Sequence, residues 1–117
     1  MRTASVLLSS REFLAEAAHA EVSYRQLDYW VRCGSIRPEQ EAAGSGTRRL
    51  WSRADIPRLR RVARFVAFMD FLAGTGTSTA STLLVRSLWE SDPTVELVLD
   101  VHGATLVLPA EDVTPVP

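Results

Sequence analysis

Lysine and asparagine are absent from this sequence, all thirteen basic residues are arginine, and cysteine occurs once, as Cys33. A single thiol excludes an intramolecular disulfide and any metal site built on several cysteines. The default expectation for it is a buried, reduced side chain. The arginine bias is of the kind a GC-rich coding genome produces. Long apolar runs are missing too: the longest, Phe65 to Leu72, is interrupted by Asp70 and falls far short of the ~20 residues needed to cross a bilayer. The Val6-Leu7-Leu8 patch after Arg2 is too short for a secretory signal and runs into Arg11 and Glu12, so a cytoplasmic location is expected. Catalytic groupings are equally scarce. His19 and His102 stand apart from any nucleophile or ligand set, and the Glu111-Asp112 pair lies in the tail. Gly74 to Thr79 is glycine-containing like a phosphate loop, yet lacks the Gly-Lys-Ser/Thr ending and follows a helical stretch rather than a strand. No enzyme activity, cofactor or bound metal is expected.

What the sequence does hold is an uneven distribution of charge. Net charge is only −1, but residues 1–66 carry 12 arginines against 7 acids and residues 67–117 carry 1 arginine against 7 acids. A basic contact surface on one part and an acidic remainder kept away from it fit that asymmetry. At 117 residues the chain has room for one modest hydrophobic core and a short appended element.

Helix starts repeat one chemistry, a hydroxyl side chain three residues before a group that can reciprocate the cap. Ser9 with Glu12, flanked by Leu8 and Phe13, opens a helix over residues 10–19. Ser23 with Gln26, flanked by Val22 and Leu27, opens a second over Tyr24 to Cys33, which Gly34 stops. Ala20-Glu21-Val22 between them is a turn of helix-turn-helix length. Phe13, Leu14, Ala17 and Ala18 face Leu27, Trp30 and Val31, which leaves Tyr24, Arg25, Asp28 and Arg32 outward. From Ser35 to Trp51 the spacing predicts a β-hairpin tipped by Gly44-Ser45-Gly46, with Ile36 in one arm and Leu50-Trp51 in the other. Ser52 or Asp55 caps a third helix that runs to Leu72, with Ile56, Leu59, Val62, Ala63, Val66 and Met69 as its core stripe and Arg58, Arg61 and Arg64 on another side. A shorter helix over Ala80 to Trp89 follows. Alternation over residues 94–101 and a return over Ala104 to Leu108 then predict a second hairpin, whose apolar face should cover Phe65, Phe68 and Phe71.

The expected fold is therefore mainly α with β-hairpins: a winged helix-turn-helix over residues 1–72, then a helix and hairpin over residues 73–117 ending in a frayed tail. This order is the layout of a protein that sets one helix in the major groove and a wing beside it. The run Val22-Ser23-Tyr24-Arg25-Gln26-Leu27-Asp28-Tyr29-Trp30, with Gly34, Ile36 and Pro38, resembles the recognition-helix signature of MerR-type regulators. Gly46-Thr47-Arg48-Arg49-Leu50-Trp51-Ser52, with Asp55, Ile56 and Leu59, is similar to that family's wing and next helix. The resemblance covers residues 10–72. It implies that Tyr24, Arg25 and Gln26 face base edges while Tyr29, Arg48 and Arg49 meet phosphates, and the full set of DNA contacts expected is Ser23, Tyr24, Arg25, Gln26, Tyr29, Thr47, Arg48, Arg49 and Arg53. Chemistry agrees: arginine offers bidentate donors to guanine and glutamine to adenine, and wing arginines neutralise phosphates of any sequence. Trp30 and Trp51 belong to the core. Asp28 stands where many members carry arginine, and it repels phosphate unless Arg25 or Arg32 pairs with it. The family's long dimerisation helix is replaced by the helix and hairpin, and the several cysteines of its metal sensors are missing.

These features point to a sequence-specific transcription regulator bound to double-stranded DNA. The C-terminal unit then holds a homodimer or cooperative oligomer, or meets a protein partner. The alternatives are a phage-type excisionase that bends DNA, and a protein-interaction module that has lost its hold on DNA. A regulator protects a palindrome, an excisionase protects tandem repeats, and an interaction module is indifferent to Arg48 and Arg49.

Overall fold

A computed structural model describes residues 7–17, 22–41, 49–73, 82–101 and 103–111. The expected extension of the first helix past Ala17, turn residues 20 and 21, the hairpin tip with Thr47 and Arg48, the loop from Gly74 to Thr79, His19, His102 and the tail from residue 112 lie outside them. Among the described residues four helices and five short strands follow in the order β1 (Leu8–Ser9), α1 (Ser10–Ala17), α2 (Tyr24–Arg32), β2 (Gln40–Glu41), β3 (Arg49–Trp51), a 3-10 turn (Arg53–Asp55), α3 (Ile56–Ala73), α4 (Thr82–Glu90), β4 (Leu97–Val101) and β5 (Ala104–Leu108). No described helix is long and apolar enough to cross a membrane.

Local chemistry sets the helix boundaries. At α1 the capping box closes both ways: the Ser9 N–H donates to Glu12 Oε1 at 2.9 Å and the Glu12 N–H donates to Ser9 Oγ at 3.2 Å. Hydrogen bonding from the Ser9 backbone N–H, and from its side chain, holds the Glu12 carboxyl below its ordinary range. At α2 Ser23 Oγ accepts from the Gln26 N–H at 3.1 Å. The helix ends in a Schellman arrangement, with Ser35 N–H on the Trp30 carbonyl, Gly34 N–H on that of Val31, and Gly34 at φ 78. At the third start Ser52 is the cap, accepting from the Ala54 N–H at 3.1 Å, and Asp55 is the last residue of the 3-10 turn. That turn delays α3 until Ile56, so Pro57 falls in the first helical turn, where its missing N–H forfeits no bond. Burial holds the Asp55 carboxyl above its usual range, opposed by Arg58 at 3.6 Å.

The first sheet has the order β1-β3-β2, all antiparallel, with Leu8 opposite Trp51 and Leu50 flanked by Ser9 and Gln40. Its first strand is a feature that capping and stapling at Leu8 and Ser9 did not reveal. Ile36 is not in a strand: it is fully buried in the turn after α2, and the hairpin arm begins only at Gln40, beyond Pro38. The second sheet is the expected C-terminal hairpin, from Leu97 opposite Leu108 to Val101 opposite Ala104.

One core joins these pieces. Phe13 and Trp51 stack with centroids 4.6 Å apart, and Trp89 from α4 meets both edge-on, at 6.5 and 6.2 Å. Trp51 Nε1 donates to Ser10 Oγ at 2.9 Å, so the buried indole has its polar partner. Leu27, Trp30, Leu59, Val62, Phe65, Val66, Val85, Leu88 and Leu108 complete the cluster, with Leu97, Leu99 and Leu106 packed against it. Ser35 Oγ also donates to the Thr82 carbonyl at 2.9 Å, which ties the end of α2 to the start of α4.

Two expectations about α3 are corrected. Arg61, expected on another side from the core stripe, is itself fully buried: its guanidinium donates to the carbonyls of Asp92, Pro93, Val95 and Pro109. Arg58 adds a bond to the Trp89 carbonyl, and Arg60 an ion pair with Glu111. The chain on either side of the second hairpin thus closes over this face of α3. The clasp also fixes where the hairpin sits, ten residues or about 15 Å of helix before Phe71. The cover does not reach that far. Phe65 is buried, Phe68 only in part, and Phe71 is 81% exposed.

Candidate nucleic-acid interface

The outward face of α2 follows from what its other face buries. Leu27 and Trp30 point into the core, and the helical period then leaves Tyr24 and Tyr29 53% and 55% exposed, Ser23 and Arg25 exposed, and Gln26 partly covered. Tyr29 is therefore a surface residue. The Ser23 hydroxyl is engaged in the cap. On α1, Arg11 extends the same surface: with Leu14 and Tyr24 it lines a cavity of about 250 Å3. Apolar spacing, which pairs the buried stripes of the two helices, gives no signal of this exposed arginine beside the start of α2.

Next to this face sits a carboxylate bridge. Asp28 Oδ1 accepts from Arg49 Nη1 at 2.6 Å, and Asp28 Oδ2 lies 2.9 Å from Arg32 Nε, one turn further along α2. The Arg32 partner was legible as an i, i+4 pair; the Arg49 partner comes from the other side of the first hairpin. The hydrogen bond from Arg49, joined by the charge of Arg32, holds the Asp28 carboxyl below the usual aspartate range. Arg49 itself is only 8% exposed, turned inward on Asp28 rather than outward where a phosphate would meet it. Arg53 is surface-exposed and bonded to Glu16 of α1 at 2.7 Å. Thr47 and Arg48 lie outside the described residues.

Cys33 departs from expectation in being exposed. It is the C-cap of α2, past the last turn that faces the core, and its N–H bonds the Tyr29 carbonyl. A side-chain hydrogen bond with Cys33 holds the Tyr29 phenol above its ordinary pKa. Among the described residues no group of three His, Cys, Asp or Glu is placed to hold a metal ion.

Comparison with known proteins bears on this face directly. Uncharacterized HTH-type transcriptional regulators of Mycobacterium bovis and of two strains of Mycobacterium tuberculosis are each 48% identical to this chain over 48 residues. The match takes in 40% of this chain but 21% of each relative's length. No solved structure matches. Residues 15–71, which hold α2, β2, β3 and nearly all of α3, match the profile described as MerR HTH family regulatory protein. That stretch of the chain, which includes the outward face of α2, is similar to the MerR family of helix-turn-helix regulatory proteins.

Proposed function

We propose that the chain is a sequence-specific regulator of transcription that binds double-stranded DNA, with α2 as the recognition helix and the β2–β3 hairpin as a wing. The observation that carries this reading is the exposed row Tyr24, Arg25 and Tyr29 on a helix whose opposite face is locked in the core. In this reading Arg25 and Gln26 read base edges, Tyr24 stacks or bonds beside them, and Tyr29 and Ser23 lie against the sugar-phosphate backbone. Thr47 and Arg48 supply the wing's phosphate contacts, and Arg53 a further cation at the base of α3. Arg49, held on Asp28, serves the wing by fixing its strand.

Selection of bound fragments from genomic DNA, followed by titration of the selected and a scrambled duplex, tests the proposal. Arg25→Ala is expected to weaken the selected duplex by about 1–3 kcal/mol and the scrambled one far less. Equal loss on both removes Arg25 from base readout. Arg48→Ala should weaken every duplex alike and flatten the dependence of log K on log salt by about 0.9; an unchanged slope takes Arg48 off the phosphates. Absence of duplex binding by the native chain at low salt overturns the whole reading.

A further inference from the structure

We propose that Asp28 is a specificity-determining positioning residue, which ties the recognition helix to the wing strand through Arg49 and lowers the positive charge that Arg32 and Arg49 offer to phosphates. The inference rests on the DNA-binding reading above and adds to it a residue of the opposite sign. Two observations carry it. Asp28 contacts both arginines at once, at 2.6 and 2.9 Å, one on β3 and one on its own helix. The Arg49 side is nearly closed to solvent, so a phosphate oxygen cannot displace the carboxylate there by simple approach.

Asp28 lies one turn beyond Tyr24 and Arg25 on α2, and its partner Arg49 leads β3. The bridge therefore fixes the distance between base-reading side chains and backbone-gripping wing, which a specific complex needs and a non-specific one does not. The three groups together sum to one positive charge. Non-specific binding depends almost wholly on charge, so a carboxylate here weakens that mode, while the geometry it imposes favours the specific one.

Asp28→Asn tests this in the full chain, on the selected and scrambled duplexes. The scrambled duplex is expected to bind about tenfold tighter at low salt, with a salt slope steeper by about one unit. The selected duplex should not keep pace, so the ratio of the two affinities falls. Asp28→Glu, which keeps the charge, should hold the slope at the native value. Arg32→Ala, on an exposed side chain, should return the slope of Asp28→Asn toward native in the double variant. Should Asp28→Asn instead weaken both duplexes equally while lowering the melting temperature, Asp28 is a packing residue only and the inference fails. An unchanged slope and ratio overturn it as well. The native chain's own binding reports separately on the DNA-binding reading: a native protein that discriminates the two duplexes beside an Asp28→Asn variant that matches it sinks this inference alone.

Discussion

Arg61→Ala is expected to lower the stability of the fold by about 3–5 kcal/mol, because it removes a fully buried guanidinium and takes the donor from four carbonyls gathered around it. Those carbonyls belong to Asp92, Pro93, Val95 and Pro109, on both sides of the second hairpin. Two of them have a second donor, since Val95 N–H bonds the Asp92 carbonyl and Glu111 N–H that of Pro93. The loss therefore falls mainly on Val95 and Pro109 and on the cavity left in α3. Asp92 offers partial charge compensation: bonds from Thr94 hold its carboxyl below the ordinary range, and Arg61 and Arg58 add to that. For a chain of this length the cost corresponds to a fall in Tm of roughly 10–20 °C. Arg61→Lys should be intermediate, because an ammonium keeps the charge but not the planar fork that spans several acceptors. Thermal unfolding decides it. A melting point within ~2 °C of native for Arg61→Ala would mean that the clasp contributes little.

Trp51→Ala should cost a comparable amount, about 3–5 kcal/mol. Trp51 is fully enclosed, stacks on Phe13, meets Trp89 edge-on and donates to Ser10, so its loss empties the junction of α1, β3 and α4 together. Trp51→Phe keeps the stack and loses the indole bond, and should cost a smaller part. Urea unfolding followed by far-UV circular dichroism separates the two, and a native-like midpoint for Trp51→Ala would show the junction to be less tightly packed than its ring geometry indicates. Because β3 carries both Trp51 and Arg49, the alanine variant should also disturb the bridge to Asp28.

The features visible in the sequence are those decided within one turn of chain. The boxes at Ser9 and Ser23, the glycine stop at Gly34 and the buried stripe through Leu27 and Trp30 each depend on neighbours three or four residues away, and the structure has them as expected. The alternation that gave β4 and β5 is equally local. What escaped depends on partners distant in sequence. Arginines spaced three apart read as a side of α3 apart from the core stripe unless carbonyls from 31 to 48 residues further on are known to close over one of them. Asp28 likewise was legible as a partner for Arg32, but its second partner, 21 positions away, left no signal. Leu8 and Ser9 fulfilled a capping role so completely that their second role, pairing with β3, left no trace in the pattern. At the proposed interface the sequence named Tyr24, Arg25 and Arg32 of α2 correctly as outward, but left Tyr29 out of that set, counted the half-covered Asp28 in it, and could not tell an arginine that faces outward, such as Arg25, from one turned in, such as Arg49.

The sharing of one core between the family-matched stretch and the later elements limits how this protein can be taken apart. Trp89, Val85, Leu88 and Leu108 act as a plug for a socket lined by Phe13, Trp51 and α3, yet all four lie beyond residue 71, where the family match ends. A chimera that grafts residues 8–71, Phe13 included, onto a foreign tail inherits an open socket, which a tail must fill with an aromatic and several aliphatic side chains to restore the core. Recombination between relatives of this chain is thus constrained to exchange plug and socket as a matched pair.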